Sequence, residues 1–240
     1  MLKSLFGRAL IGLVALATVV PVALAGEAEI RKSVEALFSG AKVDAVRKVG
    51  VLGLYEVQIG TDILYSDDKG AYLFQGEILD TKLRKNITEA RKTKLAQITF
   101  SDLPLELAVK TVKGNGKRVF ATFEDPNCGY CKKLAKELVG VTDYTMYTFL
   151  FPILAPDSTD KSRAIWCATD QSKAWNDWMT NGIPAKEANC DNPIEKITAL
   201  GQKLGIHGTP TIFFTDGNRV PGFVPAAQLE QMLNKVAAAK

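Results

Sequence analysis

Histidine is almost absent from this 240-residue sequence: His207 stands alone, beside only four cysteines. So few soft ligands leave little to build a metal centre from, because structural zinc takes four Cys or His ligands in short-spaced pairs. Only one such pair exists, Cys128 and Cys131, and Cys167 and Cys190 lie far from it and from each other. Charge of one sign is missing too. Thirty basic against 26 acidic residues give a formal net of +4, which argues for neither nucleic acid nor an anionic membrane as partner. After residue 25 no apolar run approaches the length of a membrane span.

The first 25 residues carry the pattern of a secretory signal. Lys3 and Arg8 form the charged start, Ala9 to Val20 the apolar run, and Ala23-Leu24-Ala25 a small-x-small cleavage site. Export would place all four cysteines where disulfides persist. Removing the segment leaves 28 basic and 26 acidic residues, so the balance stays uninformative.

The organising stretch is Phe123-Glu124-Asp125-Pro126-Asn127-Cys128-Gly129-Tyr130-Cys131-Lys132-Lys133. A β-rich run, Arg118 to Phe123, leads into a turn, and the two cysteines open a helix continuing through Leu134 and Leu138. At a helix start, unpaired N–H groups and the positive helix end favour an anion, so the Cys128 thiol is predicted to ionise more readily than a free cysteine. Thiol–disulfide exchange follows, with no cofactor and no metal. Lys132 stands where c-type haem attachment requires histidine. A strand, C-x-x-C, then a helix points to a thioredoxin-type redox site.

The chain around it divides by pattern. Residues 26–85 give a helix (Glu27–Phe38) and then strand-like runs at Val46–Val49, Leu54–Ile59, Ile63–Tyr65 and Tyr72–Ile78, an α+β unit with a small antiparallel sheet. So small a unit is marginal alone and its sheet edges need covering, which favours self-association over docking onto the rest of the chain. Residues 86–104 follow as a linker helix, with Asn86 and Glu89 spaced as a capping box, polar on most sides and ended at Leu103-Pro104. From 105 to 240 an α/β domain is expected. Strands Leu107–Val112 and Lys117–Phe123 form a hairpin around Gly114-Asn115-Gly116, and Tyr144–Phe151 is a buried strand. A helical block runs from Asp160 to about Leu204, and strands Thr211–Thr215 and Arg219–Phe223 precede a closing helix from Pro225 to Ala237.

Several residues should meet at the site. Pro210, in Gly208-Thr209-Pro210-Thr211, falls where thioredoxin-like folds carry a cis-proline facing the cysteine pair, and Thr209 would offer its backbone to an extended client strand. Cys167 and Cys190 are expected to form a structural disulfide; a second catalytic pair would want the short spacing and helix-start position they lack. His207 fits a surface residue beside the turn. Glu124 and Asp125 either influence proton transfer or are solvated loop charges. Thr122 occupies the position, six before Cys128, where thioredoxin-like proteins often bury an acid.

Taken together, Cys128-Gly129-Tyr130-Cys131, Ala164-Ile165-Trp166-Cys167-Ala168, Leu204-Gly205-Ile206 and Val220-Pro221-Gly222-Phe223 resemble the DsbC/DsbG family of bacterial periplasmic disulfide isomerases. The resemblance spans the mature chain and is most specific in its second half. Gly129 before Tyr130 is similar to the DsbC type, whereas the DsbG type carries proline there. It implies an N-terminal dimerisation domain, a linker helix and a thioredoxin-like domain with a helical insertion, assembled as a V-shaped homodimer with two redox sites on a shared cleft. By the same resemblance Cys128 is the nucleophile, Cys131 the resolving thiol, Pro210 the cis-proline, and Cys167 with Cys190 the structural bond. Partners would be misoxidised exported proteins and a membrane disulfide reductase of the DsbD type. Rival readings are a DsbG-like reductase that protects single cysteines, a holdase chaperone without exchange, and a monomeric DsbA-type oxidant.

Overall fold

A computed structural model describes residues 22–238, so the signal predicted over residues 1–25 lies largely outside the described residues. The chain divides into two compact units. The first holds residues up to 59 and 63–76; the second holds 60–62 and everything from Glu77 onward.

In the first unit, helix α1 (Val22–Leu37) packs Ile30 and Val34 onto a sheet of β1 (Ala45–Lys48), β2 (Tyr55–Ile59), β3 (Asp62–Ser66) and β4 (Leu73–Phe74), in that order. Val43, Val46, Tyr55 and Val57 complete a small core. The helix begins five residues before the expected Glu27. The predicted strand Tyr72–Ile78 shrinks to two residues. Asp67 explains part of this: its carboxylate caps the turn by accepting from Ala71 and Tyr72 N–H, which delays the strand. Tyr72 and Phe74 are left 70% and 49% exposed at the end of the sheet.

The second unit opens with a short hairpin, β5 (Leu79–Asp80) and β6 (Lys85–Asn86), and helix α2 (Ile87–Leu95). Asn86 caps α2 as expected, its Oδ1 accepting from Glu89 N at 2.9 Å. The helix, however, takes up only nine residues of the predicted 86–104 stretch and spans roughly 13 Å. Beyond it Ile98 N–H donates to Gly217 O at 3.3 Å, and a Cβ on Gly217 would meet Ile98 O at 2.5 Å. That backbone contact pulls the chain out of helix, and only a short 3-10 turn (Phe100–Asp102) follows.

The main sheet of the second unit is built from β7 (Val109–Lys113), β8 (Arg118–Glu124), β9 (Tyr144–Leu150), β10 (Thr211–Phe214) and β11 (Arg219–Pro221), in spatial order β11-β10-β8-β9-β7. Here the hairpin expectation fails. β7 does not pair with β8; it runs antiparallel on β9, and β9 lies parallel to β8. The crossover through helix α3 (Gly129–Glu137) returns β9 to the β8 edge, and β7 is displaced outward. The Gly114-Asn115-Gly116 turn survives as a tight corner held by Asp143, whose Oδ1 accepts from Asn115 N.

Alternation along the strands sorts side chains onto two cores. Phe120, Ile212 and Phe214 meet Leu134 and Leu138 of α3 and Leu229 and Leu233 of α7 (Ala226–Ala238). Ala121, Phe123 and Phe213 face the other side, with α4 (Ser158–Trp166), α5 (Gln171–Asn176) and α6 (Ile194–Lys203). Phe123 stacks on Phe149 at 4.6 Å and meets Phe151 and Phe213 edge-on at 5.9 and 5.7 Å. These rings make a stiff floor under the cysteine turn, each pair adding about 1 kcal/mol beyond burial. On α6, Gly201 lets the Phe151 ring come so close that a Cβ would sit 2.3 Å from it.

The expected helical block is broken. After α5 comes a π-helical turn, Asp177–Asn181, and then residues 182–193 run without helix or strand. Cys167 and Cys190 are disulfide-bonded across this stretch, with Cα atoms 5.7 Å apart. The bond closes a loop of separation 23, so it restrains the unfolded chain by about 3 kcal/mol. The double variant Cys167→Ala/Cys190→Ala is expected to melt roughly 6–12 °C lower while keeping thiol exchange at Cys128. A calorimetric scan paired with an insulin-reduction assay checks both halves. Loss of exchange in a still-folded variant would reinstate a second redox pair.

Candidate active site

Strand β8 ends at Glu124, where the sheet neighbours diverge: β9 on one side, β10 on the other. Sites in open α/β sheets form at such carboxyl ends. The chain turns through Asp125, Pro126 and Asn127, and Cys128 becomes the N-cap of α3. Its Sγ accepts from Cys131 N at 3.2 Å, satisfying one of the N–H groups a helix start leaves unpaired. The Thr209–Pro210 peptide is cis, and Thr209 O lies 3.2 Å from Cys128 Sγ, accepting from the neutral thiol. Cys128, Cys131, Thr209 and Pro210 therefore meet at one place, although about 80 residues separate the two halves.

The two thiols are electrically unlike. Cys128 is lowered from 9.0 to about 6, chiefly by the hydrogen bond from the Cys131 side chain. Burial opposes this, and Thr209 and the helix-start amides add to it. Cys131 moves strongly the other way, through burial first, then its hydrogen bond to Cys128 and the nearby charges of Glu124 and Cys128. One sulfur is thus a thiolate at neutral pH, and the other stays protonated.

Glu124 and Asp125 are both buried, which settles the choice left open above against solvated loop charges. Thr122 and Glu124 are two apart on a strand and so share a face; Thr122 Oγ1 donates to Glu124 Oε1 at 2.8 Å. An acid is therefore present beside the cysteines after all, two residues further along the strand than the expected position. Strand alternation was the signal that could have found it. Burial raises Glu124 to about 8; the Thr122 hydrogen bond lowers it, the Cys128 charge raises it, and the Cys131 hydrogen bond lowers it.

Asp125 does structural work. Oδ1 accepts from Asn127 N at 2.7 Å and Ser158 Oγ at 2.8 Å; Oδ2 accepts from Ile153 N at 2.7 Å and Leu154 N at 2.9 Å. Trp178, on the π-helical turn, donates its Nε1–H to Pro126 O at 2.6 Å. No signal of spacing or composition pointed to Trp178. His207 is exposed, as expected of a surface residue.

Comparison with known proteins gives a consistent picture. Residues 21–89 match the disulfide bond isomerase protein N-terminal domain, and residues 105–237 match the thioredoxin-like domain. The probable thiol:disulfide interchange protein DsbC of Bordetella parapertussis is 52% identical over 196 residues, covering 82% of this chain and 70% of that protein. DsbC of Escherichia coli K12 is 31% identical over 200 residues, 82% of this chain and 83% of that protein. A crystal structure of a disulfide interchange protein from Neisseria gonorrhoeae aligns with TM-score 0.55 and 43% identity, over 56% of this chain and 99% of the other.

Proposed function

Because this chain belongs to the DsbC family of thiol:disulfide interchange proteins and is thereby a thiol–disulfide oxidoreductase, we propose that it acts in the periplasm as a homodimeric isomerase of misoxidised exported proteins, through Cys128-Gly129-Tyr130-Cys131. The observation that carries this reading is the polarised thiol pair: an acidic sulfur at the helix cap and a protonated one behind it. The Cys128 thiolate attacks one sulfur of a client disulfide. A Cys128–client bond forms, and the client's other sulfur leaves as a thiolate and takes a proton from water. A second client thiolate then displaces Cys128, completing isomerisation, or Cys131 does so, completing reduction.

Glu124 is the proton acceptor for that second route. Before attack, the Cys128 charge pushes both Glu124 and Cys131 toward their protonated forms. Once Cys128 is in the mixed disulfide, its charge is gone and both pushes vanish. Glu124 then ionises more easily at the moment a base is needed, and Cys131 gives up its proton more easily. The Cys131 thiolate attacks Cys128 Sγ, the Cys128–Cys131 bond forms, and the client thiolate leaves. The spent pair needs an external two-electron reductant, a role suited to a membrane disulfide reductase of the DsbD type.

Dimerisation is proposed through the first unit, where β4 offers an outer edge that carries exposed Phe74 and is preceded by exposed Tyr72. Wild-type protein is expected to sediment as a dimer and to reactivate a scrambled multi-disulfide protein in a glutathione buffer. Phe74→Asp should sediment as a monomer, still reduce a small disulfide, and reactivate the scrambled protein several-fold more slowly, since a client then meets one site rather than two. A wild-type monomer, or no reactivation by the dimer, contradicts the proposal. Gly129 before Tyr130 speaks for this reading over a DsbG-like one.

A further inference from the structure

The exposed side of α3 next to Cys128 carries three lysines, Lys132, Lys133 and Lys136, against one glutamate. Among the described residues none of the three has a carboxylate ion-pair partner, and the one acid, Glu137, accepts from Ala226 N at 3.1 Å. Two of these lysines are nonetheless fixed in place. Lys132 Nζ sits 4.7 Å from the centre of the Trp178 ring, and Lys133 Nζ sits 4.5 Å from the centre of the Phe223 ring. Each contact orders an ammonium by about 0.5–1 kcal/mol without neutralising it, as a carboxylate would. The Trp178 ring is itself pinned through its bond to Pro126 O, two residues before Cys128. Lys161 reaches the other cation position on Trp178 at 4.7 Å, but its charge is answered by Asp157 at 2.7 Å. Tyr130, 64% exposed, packs 6.4 Å from Phe223 and adds an apolar contact between the charged positions.

Positive charge ordered on the turn of α3 that follows the Cys128 cap, and left without a carboxylate partner, selects what approaches. We propose that this face of α3 recognises client segments carrying carboxylates next to their cysteine, with Lys132 and Lys133 as the specificity-determining residues. The inference rests on exchange at Cys128 and deepens it by naming the client chemistry. Asp157 and Asp160, at the start of α4, are paired with Lys161 and Arg163 and not with this pair of lysines.

The test uses reduced full-length protein and three short peptide disulfides, with glutamates, glutamines or lysines flanking the cysteine. Each peptide's rate is divided by the rate of the same peptide with free 2-mercaptoethanol, which removes differences in intrinsic disulfide reactivity, and the quotients are compared with that of the glutamine peptide. At low ionic strength the glutamate peptide should react about fivefold faster than the glutamine peptide, and the lysine peptide slower. In about 1 M salt, where screening acts within ~3 Å, the ratio should approach one. Lys132→Gln/Lys133→Gln should lose the ratio, and Lys132→Arg/Lys133→Arg should keep it. A ratio near one in the wild type, or one that survives the glutamine variant, overturns the proposal. If the glutamine peptide is not attacked at all, the exchange reading fails first and takes this inference with it.

Discussion

Cys128→Ala is expected to lose exchange by a factor on the order of 10³ or more, the scale seen when a nucleophile is removed. The remaining sulfur cannot substitute: Cys131 is buried, and its thiol is held far above the ordinary range. Reactivation of a scrambled multi-disulfide protein should therefore vanish, while suppression of client aggregation stays at the wild-type level. If reactivation survives the substitution, the sulfur at the helix cap is not the nucleophile; if aggregation suppression is the only activity of the wild type, the protein is a holdase. The same sulfur sets the pH dependence. Alkylation of reduced wild-type protein should rise through pH 6 and level off above it, following a folded value of about 6. Because that value is lowered from 9.0, the thiolate stabilises the folded dithiol form fully above pH 9, and this contribution is lost as pH falls through 6. The oxidised form has no such group, so the melting temperature of the reduced protein should fall relative to that of the oxidised protein as pH goes from 9 to 6.

Glu124→Gln is expected to spare the first attack and slow the second step. Removing a positioned proton acceptor costs about 10²-fold, so the mixed disulfide with a client peptide should accumulate and be caught by acid quench and mass spectrometry. Resolution at the wild-type rate would remove Glu124 from the mechanism. A stability readout separates this role from packing alone. Glu124 is raised from 4.5 to about 8, so its contribution to stability is fully present below pH 4.5 and lost as pH rises through 8. Glutamine cannot ionise. The unfolding free energy of the variant should therefore gain on the wild type across that window, by an amount on the order of a few kcal/mol at its upper end.

Much of this site was legible because its signals are local. Cys128 at a helix cap, Asn86 before α2 and Pro210 before β10 each rest on the conformational needs of one or two residues. What escaped depends on partners distant in sequence. The place of β7 at the sheet edge is decided by where α3 returns β9, and nothing in Val109–Lys113 records that. The end of α2 is set by a bond from Ile98 to Gly217, more than a hundred residues away. Trp178 falls on the active-site loop only because a π-helical turn redirects its ring. Glu124 is the intermediate case. Its neighbour Thr122 was in view, and two-residue periodicity would have carried the reading to the buried carboxyl.

The four hydrogen bonds gathered by Asp125 leave the joint between strand and helix with no slack. A joint held in this way is expected to let the sulfur pair pass between dithiol and disulfide with little movement of the main chain. The balance between dithiol and disulfide is then governed by charge on two atoms, and the flexibility that shuffling demands falls to the client.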